Sequence, residues 1–164
     1  MEKVLTGKVY VFGDNIDTDQ IYPGSYLELT EIDKIAEHCM EGADPLFSKK
    51  FERGGIIIAR NNFGCGSSRE HAAITLKEIG VAAIVAESFS RIFYRNAINL
   101  GLPLVLCKDV GKYLTNNDVI SLNLETGELL NHTLEMSITC EAIDEYAMEI
   151  LDNGGIVNML NVGK

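Results

Sequence analysis

Three short, unbroken apolar runs constrain this chain most: Gly55-Ile56-Ile57-Ile58-Ala59, Val81-Ala82-Ala83-Ile84-Val85-Ala86 and Leu102-Pro103-Leu104-Val105-Leu106. A strand with one face in water alternates apolar and polar residues, whereas a strand buried on both faces of a parallel sheet does not. Amphipathic segments separate the runs. Ala72, Ala73, Leu76 and Ile79 hold a helical stripe from Arg69 to Ile79, with Gly80 suited to the position just past its end. Phe89, Ile92, Phe93 and Ala97 repeat the pattern from Phe89 to Ile98. The sequence therefore predicts an α/β fold with a parallel βαβαβ core and right-handed crossovers.

The flanks add different elements. Val9-Tyr10-Val11-Phe12 reads as a further strand, and Asp118 to Leu124 with Glu128-Leu129-Leu130 flank the turn signal Glu125-Thr126-Gly127, which predicts an antiparallel hairpin. Ala142 to Leu151 puts Ile143, Tyr146, Ala147, Ile150 and Leu151 on one helical face, closed by Asn153-Gly154-Gly155. No repeat, linker or low-complexity tract interrupts the chain. With 164 residues and 46% hydrophobic content it suits one domain, 1–164, large enough for a real core.

The formal net charge of -10 argues against a nucleic-acid surface, so an anionic ligand must be held by a few local cations. Cys39, Cys65, Cys107 and Cys140 are far apart and never form a C-x-x-C pair, so no metal or cofactor site is readable in the chain itself. The first residues lack a signal-peptide apolar core, and no run reaches the roughly 18 apolar residues that span a bilayer. These features predict a cytoplasmic protein with reduced thiols and no membrane association.

The chemistry points to Asn61-Asn62-Phe63-Gly64-Cys65-Gly66-Ser67-Ser68-Arg69-Glu70-His71, a polar turn between an apolar strand and an amphipathic helix. Gly64 and Gly66 allow a tight bend and close approach to a ligand, Ser67 or Ser68 is suited to cap the helix, and Arg69 places a guanidinium in its first turn. A cation there opposes the helix dipole, and such broken local rules mark working sites. The segment is neither a G-x-S-x-G nucleophile elbow nor a P-loop, and Arg69 stands where a dinucleotide fingerprint needs its third glycine. Cys65 reads as a thiol nucleophile or as a compact filler between glycines, and His71 as a surface group or a supporting one. A second polar loop, Gly13 to Gly24, carries Asp14, Asp17 and Asp19; their spacing does not match a calcium-binding EF-hand loop, and turn and cap chemistry also accounts for them.

Three segments, Gly13 to Gly24, Asn62 to Ala72 and Glu87-Ser88-Phe89-Ser90-Arg91-Ile92-Phe93-Tyr94-Arg95-Asn96-Ala97, resemble in order the swivelling β/β/α domain of the aconitase superfamily. The resemblance spans roughly residues 8 to 106 and is greatest to the free-standing form, the small subunits of 3-isopropylmalate dehydratase and related two-subunit hydro-lyases. It implies a large-subunit partner holding a [4Fe-4S] cluster, none being bound by this chain. It also implies a small hydroxy-dicarboxylate substrate across whose adjacent carbons water is moved. Carried over, Ser67 is the base that takes the proton from the substrate carbon, Ser68 and Arg69 bind substrate, Arg69 gripping a carboxylate, and Asp19 belongs to the same catalytic site. Cys65 and Gln20 stand where single-chain aconitases have an acidic residue and a histidine, which points to the two-subunit branch.

In that family the loop after Pro23 reaches the variable substituent of the substrate, and an arginine in Tyr-Leu-Arg-Thr suits the extra carboxylate of homoaconitate. Here it reads Tyr26-Leu27-Glu28-Leu29-Thr30. Glu28 repels a further carboxylate and Leu27 or Leu29 suits a branched apolar group, so isopropylmalate leads, with 2,3-dimethylmalate or a methylmalate next and homoaconitate behind them. Outside the enzyme class stand a carboxylate-binding module and an RNA-associated regulator, the latter opposed by the acidic balance.

Overall fold

Val4–Val11 forms β1, the strand on which two halves of one sheet meet. Its second half, Val9 to Val11, pairs in parallel with β2 (Ile56–Ile58), while its first half, Val4 to Lys8, pairs antiparallel with β5 (Val119–Asn123). A computed structural model of the chain describes residues 1–161, so residues 162–164 of the expected domain span lie outside the described residues. The seven strands run in the order β4-β3-β2-β1-β5-β6-β7, with β3 (Ala83–Ala86), β4 (Leu104–Leu106), β6 (Glu128–Asn131) and β7 (Met136–Thr139). β1 to β4 are parallel, and β5 to β7 continue the sheet antiparallel. The α/β core with an added hairpin is thus as expected.

Burial explains the two sequence textures. Every residue of β2 and β3 is buried, which is why these strands read as continuous apolar runs. β6 alternates exposed and buried residues, as a strand with one wet face does. Three short helices lie between β1 and β2: α1 (Thr18–Ile21), α2 (Ile32–Ala36) and α3 (Phe47–Lys50). The crossovers are α4 (Glu70–Ile79) and α5 (Arg91–Leu100), and α6 (Glu145–Asp152) with α7 (Ile156–Asn161) follow the antiparallel strands.

Several expectations are corrected. β1 starts at Val4 and not Val9, because its first half finds a partner in β5. The last long helix begins at Glu145 and not Ala142: Asp144 caps it by accepting a 2.8 Å bond from the Ala147 amide, while the Ile143 amide is held by the Leu124 carbonyl at 3.1 Å. Tyr146, placed on that helix's apolar face, is 63% exposed. Ile92 is likewise 52% exposed and does not join the core with Phe93 and Ala97. Strand β7 and helices α1 to α3 were not expected at all.

Candidate active site

The polar turn after β2 is stitched to both other polar loops by backbone hydrogen bonds. The Gly64 amide donates to the Ile16 carbonyl at 2.7 Å, and the Thr18 amide to the Cys65 carbonyl at 2.8 Å. On the other side the Phe63 amide donates to Ser88 at 3.1 Å, and the Ser90 amide returns to Phe63 at 2.9 Å. Strand-like bridges Asp17 to Cys65 and Phe63 to Phe89 record the same convergence. All three segments singled out in the sequence therefore meet at the start of α4 and α5.

Two glycines make this approach possible. Gly64 has φ +85°, and a Cβ there would lie 2.2 Å from Cγ of Phe93, so the turn packs directly on α5. Gly66, at φ +94°, turns the chain outward past Thr18. Thr18 Oγ1 then donates to the Ser67 carbonyl at 2.8 Å, fixing the backbone that carries an exposed hydroxyl.

Neither serine caps the helix. The N-cap is Arg69 itself, one position before the first turn where the sequence placed it, and it makes no side-chain cap bond. The first amides of α4 thus have no side-chain cap and present the positive end of the helix dipole beside Ser67 and Ser68.

The Arg69 guanidinium points back to the first loop. Its Nη1 donates to Asp19 Oδ1 at 2.7 Å and to the Tyr22 carbonyl at 3.1 Å. Both contacts use one nitrogen, leaving the rest of the planar fork for a carboxylate. Asp19 also accepts from the Gly24 amide at 2.9 Å. The hydrogen bond from Arg69, followed by that from Gly24, holds its carboxyl below the usual carboxylate range. Asp17 is the cap of α1, in a capping box with Gln20, and Asp14 accepts from the Asn61 amide at 3.0 Å, so the aspartates other than Asp19 do turn and cap work.

Ser67, Ser68 and Arg69 line a cleft with Thr18, Ser90, Ile92, Phe93 and Asn96. Its volume is about 10 Å³, room for roughly one water. A cavity of about 340 Å³ lies elsewhere, between Lys8, Phe12, Phe47 and Asn116, with none of these residues in its wall. Asp19 joins the serines through Arg69. Leu27 and Glu28 do not line the cleft; they are exposed on the loop whose start, Gly24, lies against Arg69. Thr18, Ile92 and Asn96 line the cleft although the sequence pattern assigns none of them to a site; their place inside the three resembling segments is the available signal.

His71 is half-buried and stacks on Tyr22, ring centroids 5.1 Å apart. Cys65 is half-buried, whereas Cys39, Cys107 and Cys140 are buried. Among the described residues no group of three or more His, Cys, Asp or Glu side chains could hold a metal ion, so this chain's own thiols do not fit an iron–sulfur cluster. Nor is any helix among them long and apolar enough to cross a membrane.

Comparison with known proteins agrees with this fold. Residues 41–109 match the aconitase C-terminal domain. The chain is 48% identical over 160 residues to the isopropylmalate/citramalate isomerase small subunit of Methanocaldococcus jannaschii, covering 98% of this chain and 95% of that one. It is also 48% identical over 158 residues to the methanogen homoaconitase small subunit of Methanothermobacter thermautotrophicus, covering 96% and 91%. A crystal structure of 3-isopropylmalate dehydratase from M. jannaschii superposes with a TM-score of 0.92 at 43% identity, over 96% of this chain and 93% of that one. The chain belongs to the small-subunit family of 3-isopropylmalate dehydratase and its two-subunit hydro-lyase relatives, in the aconitase superfamily.

Proposed function

We propose that this chain is the small subunit of a hydro-lyase that interconverts 2-isopropylmalate and 3-isopropylmalate by dehydration and rehydration, with Ser67 as its base. The observation that carries the proposal is the convergence of three loops on an exposed serine beside a helix N-terminus and a half-free arginine. A serine hydroxyl does not ionise unaided near neutral pH, and the uncapped amides of α4 with Arg69 supply the positive potential an alkoxide needs. Arg69, aimed by Asp19, takes a substrate carboxylate with its remaining nitrogens. Ser68, exposed beside it, offers a further hydrogen bond. Ser67 then receives the proton from the substrate carbon and returns it on rehydration.

The cleft is too small and open to enclose a hydroxy acid, so a second polypeptide must close it. That partner is the large subunit, whose [4Fe-4S] cluster, when bound, supplies Lewis-acid assistance to the departing hydroxyl. The net charge of -10 is in keeping with a small ligand held by a few local cations and argues against a nucleic-acid surface.

Overall identity does not choose the substrate, because relatives named for isopropylmalate and for homoaconitate are equally similar. Exposed Glu28 opposes an extra carboxylate, and Leu27 suits a branched apolar substituent; a methylmalate is the second reading, in line with the isopropylmalate/citramalate relative. The test is a substrate panel on the complex reconstituted with the large subunit, following the unsaturated acid by ultraviolet absorbance. Highest kcat/KM on isopropylmalate is expected, with no turnover by the small chain alone. Preference for homoaconitate would overturn the assignment.

A further inference from the structure

Residues 27 and 28 are exposed and outside regular structure, yet the loop bearing them is fastened on both sides, at Tyr26 and Leu29. Tyr26 is the hub. Its ring stacks on His38 with centroids 3.6 Å apart and planes within 11°. Its hydroxyl donates to Glu41 Oε1 at 3.0 Å, and the other oxygen of Glu41 accepts from His38 Nδ1 at 2.5 Å. Its carbonyl accepts from the Tyr22 hydroxyl at 2.6 Å and the Leu29 amide at 3.1 Å. Beyond the exposed pair, the Leu29 carbonyl accepts from His71 Nε2 at 3.2 Å.

The platform under this hub is itself rigid. Met40 is fully buried with φ +57°, a left-handed conformation rare for a non-glycine residue. Its amide donates to the Ile21 carbonyl at 2.7 Å, and the Gly42 amide to the Gln20 carbonyl at 3.0 Å, so the backbone on both sides of Glu41 is tied to α1. The Thr75 hydroxyl fastens α2 to α4 by donating to Ile35 at 2.8 Å. A backbone strained at Met40 and held by its surroundings is a device for aiming the next side chain, Glu41.

We propose that Tyr26, His38 and Glu41 form a positioning clamp that fixes Leu27 and Glu28 and so sets which substrate substituent is accepted. The clamp touches no substrate and rests on the hydro-lyase reading above. It acts by ordering the loop before binding, so that the correct substituent does not meet a loop still to be ordered.

The experiment has two readouts on Glu41→Ala and Tyr26→Phe. Amide exchange on the full chain should accelerate at Leu27 and Leu29 by about tenfold or more, with β2 and β3 unchanged. In the complex with the large subunit, kcat/KM for isopropylmalate relative to homoaconitate should fall about fivefold or more, through KM more than kcat. If Glu41→Ala loosens the core as well, Tyr26→Phe, which deletes one hydroxyl, carries the test. Unchanged exchange in the loop overturns the clamp. Faster exchange with an unchanged substrate ratio overturns its role in selectivity. A wild-type complex that turns over none of these acids overturns the hydro-lyase reading instead, and exchange alone then decides the clamp.

Discussion

In the proposed function Arg69 is divided between structure and ligand. Its Nη1 is spent on Asp19 and Tyr22, so grip on a carboxylate depends on the planar fork reaching past them. Arg69→Lys keeps the charge but loses the fork, and KM should rise about tenfold with the complex intact. Asp19 reports on the same pair. Its pKa is lowered in the folded chain, so its stabilising contribution is present above the unfolded value of about 3.9 and is lost as pH falls through the lower folded value. Carbon NMR should show the Asp19 carboxyl titrating below the ordinary aspartate range, and Arg69→Gln should move it upward; no movement would mean that the pair does not form. Glu28 is the exposed charge that argues for an apolar substituent. Glu28→Arg replaces repulsion by attraction and should shift the kcat/KM ratio toward homoaconitate by roughly tenfold. A ratio within about twofold of the parent would mean that Glu28 faces solvent throughout the reaction.

At the scale of elements, the turn from Phe63 to Ser67 is the piece on which the others depend. Gly64→Ala would drive a methyl group into Phe93 at a positive φ, so it should cost about 2 kcal/mol or more, measured by denaturant unfolding, and loosen the α5 contact. The parallel strands were legible because burial on both faces leaves no polar residue in Ile56–Ile58 or Ala83–Ala86. The hairpin was legible through Gly127 in its turn. Helix α2 was not, since five residues with only Ile35 buried carry no period, and its place comes from packing on α4. Periodicity also failed at Ile92 and Tyr146, because an apolar residue beside a cleft or on an outer face fits the same stripe as one in the core. That Asp19, Ser67, Ser68 and Arg69 lie together was legible from the resembling segments, but the missing serine cap was not: Ser67 hands its carbonyl to Thr18, a contact between residues 49 apart in the chain that no local pattern records.

In the proposed function the whole molecule presents half of a site. Three loops from one end of the parallel sheet meet at a cleft of about 10 Å³, open to solvent and beside exposed Ile92. A base that depends on local positive potential works only when water is excluded, which a covering subunit provides. The antiparallel strands β5 to β7 lie on the far side of β1 in the sheet order from β2, β3 and β4, whereas α6 packs on α5. The central claim is that this chain lends a serine base to its partner, and the most direct measurement is kcat of the reconstituted complex carrying Ser67→Ala, with subunit association measured in parallel. The account predicts a fall of about 10² to 10⁴ in kcat, with KM and association little changed. Turnover within about twofold of the wild type would contradict it and leave Ser67 as a structural residue of the turn.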